Sequence, residues 1–244
     1  MRKNSGLRPG FSVLSVVLLL LAPAAAILYG VYGLDNRKYL LVSLVILACA
    51  ILSFFLLFEQ RKPPARDLVT LAVLCSIAVA GRAAFFMLPQ FKPVAAVVIL
   101  TGVCLGGQAG FLVGAVSALV SNFFFGQGPN TPFQMFAFGL VGLLAGLFFR
   151  HARRKPKKLF LCVYGALSVF ILYGGVVNGG TLLISGLPLT PVSYLTVCAS
   201  GIPFDLTHAA ATAFFLFVLS GPMMEKMERM KQKYGLMQRD DDSE

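Results

Sequence analysis

Tryptophan is absent from this 244-residue chain, and charge is scarce: 13% of the residues are charged and ten are acidic. Ordinary soluble domains are about 25% charged. With 57% of the residues hydrophobic, a soluble fold of this length could not hide its apolar surface, so lipid must cover much of it. The motifs of common enzymes are missing as well. No HExxH, GxSxG or P-loop occurs, which excludes the zinc-protease, hydrolase-elbow and self-powered ATPase classes. The five cysteines, Cys49, Cys75, Cys104, Cys162 and Cys198, form no CxxC pair. That spacing indicates neither a zinc site nor a disulfide framework.

What remains is a series of apolar runs of near-bilayer length. A span needs about 20 residues. The runs are Phe11–Val31, Tyr39–Phe58, Leu68–Leu88, Val94–Leu105, Ala109–Phe125, Pro132–Phe149, Leu159–Val177 and Gly201–Ser220. The first resembles a signal peptide in its basic start and its stretch Ala22-Pro23-Ala24-Ala25-Ala26. Apolar sequence continues through Ile27–Val31, so it is read as a retained helix. The uncharged stretch Val94–Phe125 would be about 48 Å long as one helix, against a hydrocarbon core of about 30 Å. Gly106-Gly107-Gln108 is the expected break.

The net charge of +11 could suggest nucleic acid, but the basic residues sit in short segments between apolar runs and no nucleic-acid motif accompanies them. Take the N-terminus as cytoplasmic. Seventeen of the 21 Lys and Arg then fall inside: Arg2, Lys3, Arg8, Arg61, Lys62, Arg66, Arg150, Arg153, Arg154, Lys155, Lys157, Lys158, Lys226, Arg229, Lys231, Lys233 and Arg239. Outside are Arg37, Lys38 and Lys92, and Arg82 lies within a run. This is a positive-inside pattern. It predicts eight helices with both termini cytoplasmic, and it requires the turn at Gly106. The expected organisation is a two-helix transmembrane extension over 1–58, a six-helix bundle over 59–234 and an acidic tail over 235–244. Tyr29, Tyr32, Tyr39, Tyr164, Tyr173 and Tyr194 are expected as interface anchors.

Ionisable residues inside spans default to functional hypotheses. Arg82, Asp205 and His208 qualify, and the topology places all three toward the outer end. Gln90, Lys92, Asn122, Gln127, Asn130, Gln134 and Asn178 gather at the same level, while the cytoplasmic halves are almost purely apolar. A polar pocket opening outward follows. The bland alternative has Arg82 and Asp205 neutralising each other, His208 bonded to Asp205 on the same helix face, and Asn122, Gln134 and Asn178 capping or bridging helices. No catalytic or metal-binding residue is assigned, and no cofactor. Helix three carries small residues at Ala72, Ser76, Ala80 and Ala84. Gly110, Gly114, Ser117 and Ser121 do the same on helix five, and Gly139, Gly142 and Gly146 on helix six. Such stripes permit close helix packing or partner docking.

The stretches Phe91-Lys92-Pro93-Val94, Gly110-Phe111-Leu112-Val113-Gly114-Ala115, Ser121 to Met135 (SNFFFGQGPNTPFQM) and Gly201-Ile202-Pro203-Phe204-Asp205-Leu206-Thr207-His208-Ala209 resemble the substrate-specific S component of energy-coupling factor (ECF) transporters. Within that family the chain is most similar to the cobalamin-type branch. The resemblance spans roughly residues 67–225. It implies an all-α six-helix bundle in the bacterial cell membrane that binds a vitamin, with cobalamin as the first candidate. It implies partners too: a transmembrane coupling subunit and two ATPase subunits, which use the ATP. It further implies that the bundle topples to release its ligand inward, and that the Ala72/Ser76/Ala80/Ala84 stripe is the docking motif. Ser76 and the two extra N-terminal helices depart from the family pattern. The alternatives are an autonomous secondary transporter or channel for a small polar solute, and a membrane-embedded enzyme or assembly protein.

Overall fold

The computed structural model describes residues 63–149 and 156–236, together with helical positions 44, 45, 47–49, 51, 52 and 55. The expected helix Phe11–Val31, most of Tyr39–Phe58, the anchors Tyr29, Tyr32 and Tyr39, and residues 237–244 of the tail lie outside the described residues. The chain divides into two compact units, Met1–Lys62 and Pro63–Glu244. The second is an all-helical bundle.

Its first helix, α1 (Ala65–Ala84), starts directly after Pro63-Pro64, with Pro64 in an extended conformation at the cap. Proline is tolerated there because the first N–H groups of a helix have no internal partner. Leu71, Leu74 and Ala78 point into the bundle, while Leu68, Val69, Val73 and Ile77 are exposed. That exposed apolar face is what a lipid-facing helix presents.

The next helix, α2 (Val94–Leu105), differs. Every residue from Val94 to Gly102 is buried, and most of these side chains have no accessible surface at all. A helix that is hydrophobic all round belongs in a core. At 12 residues it is about 18 Å long, too short to cross lipid alone. Because other helices surround it, it has no lipid thickness to match.

The break between α2 and α3 (Gly107–Phe125) falls at Gly106 as expected, with φ 97° and ψ 161°. A side chain rarely tolerates that backbone conformation, and glycine does. α3 then runs against α4 (Thr131–Phe149) at backbone contact. A Cβ added to Gly110 would lie 2.6 Å from the carbonyl oxygen of Gly142, and one at Gly114 would lie 2.5 Å from that of Phe138. The glycine stripes of these two helices thus serve intramolecular packing, which depends on close backbone approach.

The fifth rod is interrupted. α5 (Lys158–Ser168) passes into a π-helical turn, Val169–Tyr173, and continues as α6 (Gly174–Ser185). The sequence pattern ends this helix at Val177, yet it extends eight residues further, to a left-handed Gly186. The last helix, α7 (Pro191–Tyr234), is 44 residues long and therefore about 66 Å. It begins ten residues before the expected Gly201. Thr190 caps it, accepting a hydrogen bond from the Ser193 N–H at 3.1 Å, and Pro191 occupies its first turn. Pro203 and Pro222 are accommodated inside it. Five of these rods are long and apolar enough to cross a membrane, α2 being the short exception. The bundle is that of a polytopic membrane protein.

Candidate functional site

The chain direction puts the loops 85–93, 126–130 and 186–190 at one end of the bundle. The basic segments around Arg66, Lys157–Lys158 and Lys226–Lys233 lie at the other. Between Lys158 and Asp205 there is no charged residue. Polar side chains at the loop-bearing end therefore stand out, and they fall into three groupings.

The first is centred on Arg82. α1 ends at Ala84, four residues short of the expected Leu88, so Arg82 sits in the last turn rather than two turns inside. Its Nη1 donates to Ser121 Oγ at 2.6 Å and to Asn122 Oδ1 at 2.7 Å, both on α3. The Phe125 ring lies 5.5 Å from the guanidinium carbon, a cation–π distance. Asn122 is buried. Its Nδ2 donates to Thr131 Oγ1 and to Gln134 Oε1, each at 2.9 Å, which ties α3 to α4. Gly128 N–H also reaches Thr131 Oγ1, at 3.3 Å, and so closes the intervening loop onto the network. Asn122 thereby uses both ends of its amide, and its orientation is determined by its partners.

Lys92 is brought toward Arg82 by the contact of Gly81 with a proline ring. Gly81 abuts the Pro93 ring, and these two residues are the chain neighbours of Arg82 and Lys92. Lys92 is half-buried. Burial lowers its ammonium below the ordinary lysine range, and the like charge of Arg82 adds to the effect. The loop between them folds on aromatics. Phe85 meets Phe215 at 5.0 Å, Phe86 stacks on Phe125 at 5.0 Å, and Phe91 contacts Phe215 at 5.3 Å. Gln90 takes φ 55° at the turn.

The second grouping joins α6 and α7. Asn178 Nδ2 donates to Asp205 Oδ2 at 2.9 Å. One turn away, Tyr194 Oη donates to the Gly175 carbonyl at 3.1 Å. Gly174 lies against the Asp205 carboxylate, where a Cβ would be 2.9 Å from Oδ2. Both positions correct the sequence reading. Asn178 is inside its helix rather than after it, and Asp205 is the fifteenth residue of α7 rather than in its first turns.

The third is His208, buried with 4% exposure. Its ring lies edge-on to Tyr173 at 4.7 Å and to Phe138 at 5.9 Å, and its Nδ1 has no hydrogen-bond partner. Tyr173 is itself buried, so it packs against the site and is no interface anchor.

The bland expectation holds in one part, since Asn122, Gln134 and Asn178 bridge helices, and fails in two. Arg82 bonds to Ser121 and Asn122, with no ion pair to Asp205. Asp205 bonds to Asn178, while His208 Nδ1 stays free of it. Gln127 is an exposed loop residue, and Asn130 is half-buried with a buried Oδ1 that has no partner. Sequence reasoning missed Ser121, Thr131, Phe138 and Tyr173 as members of the site. Ser121 and Thr131 lay within the SNFFFGQGPNTPFQM stretch, which was the available signal.

The arrangement gathers a cation and a set of hydrogen-bonding side chains at one end of an otherwise apolar bundle. Among the described residues no three His, Cys, Asp or Glu side chains are grouped to hold a metal. The exposed face of α1 holds the stripe Ala72, Ser76, Ala80 and Ala84, all of it outward-facing. Ser76 Oγ is satisfied internally by the Ala72 carbonyl at 2.9 Å.

Comparison with known proteins returns no match among curated proteins and none among solved structures. A family model does match, over residues 66–220, nearly the whole bundle from α1 into the membrane-spanning part of α7. It is the model of the ECF transporter substrate-specific component, and this chain belongs to that family.

Proposed function

We propose that this protein captures a vitamin or related micronutrient at the outer face of a bacterial membrane, with cobalamin as the first candidate. Members of the family work with an ECF module of transmembrane and ATPase subunits, so the energy for import comes from that module. In this reading both termini are cytoplasmic, and the ligand enters at the loop-bearing end. Arg82, Gln90, Lys92, Asn122, Gln127, Asn130, Gln134, Asn178, Asp205 and His208 line or flank its path. The outward-facing stripe of Ala72, Ser76, Ala80 and Ala84 docks the coupling subunit, where small residues allow backbones to approach.

One observation carries the reading. Within a chain of this family, a cross-linked polar network sits at the end opposite the basic segments. Basic segments face the cytoplasm, so the network faces out. The experiment is native mass spectrometry of detergent-purified protein, expressed in medium supplemented with vitamins, followed by co-purification with an ECF module. A retained small molecule in one-to-one ratio and a stable complex support the reading. An empty protein that binds no vitamin on titration and ignores the module sinks it. Solute flux by this chain alone in liposomes would favour the autonomous transporter instead.

A further inference from the structure

Arg82 is bonded in an unusual way for a cation within a span. A guanidinium has five N–H donors in a rigid fork. Nη1 spends both of its own on Ser121 and Asn122. Among the described residues the Nη2 and Nε donors have no acceptor. Those donors form one edge of the plane, the edge that meets a carboxylate or phosphate in two parallel hydrogen bonds. Three things fix the direction of that edge: the bonds to Ser121 and Asn122, the clamp on Asn122 from Thr131 and Gln134, and the Phe125 ring against the guanidinium. A side chain held only to neutralise a charge needs no such scaffold.

The charge balance points the same way. Lys92 is drawn alongside by the Gly81–Pro93 contact, and the Nδ1 of His208 is buried and unpartnered. Asp205, the acid nearest in level, is engaged by Asn178. Among the described residues, these two positive charges thus have no carboxylate partner. An uncompensated charge is costly in a low-dielectric site, and an incoming anion relieves it.

Resting on the function proposed above, we infer that the substrate carries an anionic group, a carboxylate or a phosphate, and that this group seats bidentately on the free edge of Arg82 with Lys92 beside it. A lipid headgroup offers the same chemistry as a soluble phosphate, so the experiment must tell them apart.

Wild-type protein and Arg82→Gln and Arg82→Lys variants are purified and titrated with carboxylate vitamins (pantothenate, biotin, folate), with cobalamin and its phosphate-free analogue cobinamide, and with uncharged riboflavin and pyridoxine. Bound lipid is identified by native mass spectrometry. The expected result is binding of an anionic member, weakened roughly 10- to 100-fold by Arg82→Gln and partly restored in Arg82→Lys. On wild-type protein, the amidated or phosphate-free form of that same ligand binds as weakly as Arg82→Gln binds the parent, a comparison that does not depend on any variant folding. Tight binding of an uncharged vitamin, or of both forms equally, overturns the inference and leaves the function standing. So does a phospholipid that is lost from Arg82→Gln while vitamin affinity stays unchanged. If the wild type binds no vitamin at all, both fall.

Discussion

Among the described residues, Arg82 and Asp205 are the two formal charges inside helices near the loop-bearing end, and they are held in opposite ways. Arg82 belongs to a network of five side chains drawn from α1, α3 and α4, about one to two turns beyond the close contact of Gly114 with Phe138 that joins α3 to α4. Asp205 has one side-chain hydrogen bond, to Asn178. It sits on α7 just past Pro203 and faces a rod broken by a π-helical turn. Proline inside a helix removes a ladder bond, and π turns occur mostly as single-turn features at functional sites. One half of the site is therefore built to keep its geometry. The other half rests on a proline-bearing helix and a π-helical turn.

Breaking the rigid half should have the largest effect. Gly142→Val would drive a side chain into the Gly110 backbone, which cannot rotate away. The expected outcome is loss of at least about 3 kcal/mol of stability, read as a collapse of the monodisperse peak in size-exclusion chromatography. Next is Arg82→Ala, which should weaken ligand binding by about 1.5–3 kcal/mol. Lys92→Ala should cost at most about 1 kcal/mol, because its more flexible ammonium is held by no comparable scaffold. Equal losses in a titration would erase the distinction between them. The smallest change is expected from Asp205→Asn. Amide-to-amide bonding to Asn178 remains possible after a flip, so a shift near 1 kcal/mol or below is expected in melting and binding. A large loss there would show that the second half is as fixed as the first. The two faces of α1 sharpen the comparison further. Ala80→Leu adds bulk to the outward face, away from Arg82's partners, and should abolish uptake in cells while vitamin affinity measured in detergent stays within about twofold.

Much of this was legible in the sequence. Ionisable groups inside apolar runs are expensive, so Arg82, Asp205 and His208 stood out as candidates. The turn at Gly106 followed from length and charge alternation. The partners of Arg82 did not announce themselves, for a physical reason. Serine and threonine in apolar helices usually bond to their own backbone, as Thr70, Ser76, Thr101 and Thr212 do here. Ser121 does so as well, donating to the Ala118 carbonyl at 3.1 Å, and nothing local marks it or Thr131 as the acceptor of a bond from another helix. Tyr173 was misplaced because the helix carrying it runs well past Val177, so a residue expected near an end is in the interior. The early start of α7 was available in Thr190-Pro191, a cap residue followed by proline at the first helical position. The uncharged composition of Gly186–Ser200 obscured it.

The enclosure of α2 carries a consequence for how the protein is made. A segment of 12 residues, about 18 Å long, is too short to partition into lipid by itself as it leaves the ribosome. Gly106 joins it to α3 without an intervening polar loop. The two must enter the bilayer together as a hairpin, and α2 must then be wrapped by helices synthesised after it. The centre of the bundle is thus among the last parts of the protein to find its surroundings, and truncation before α7 should leave it open to the cell's membrane proteases.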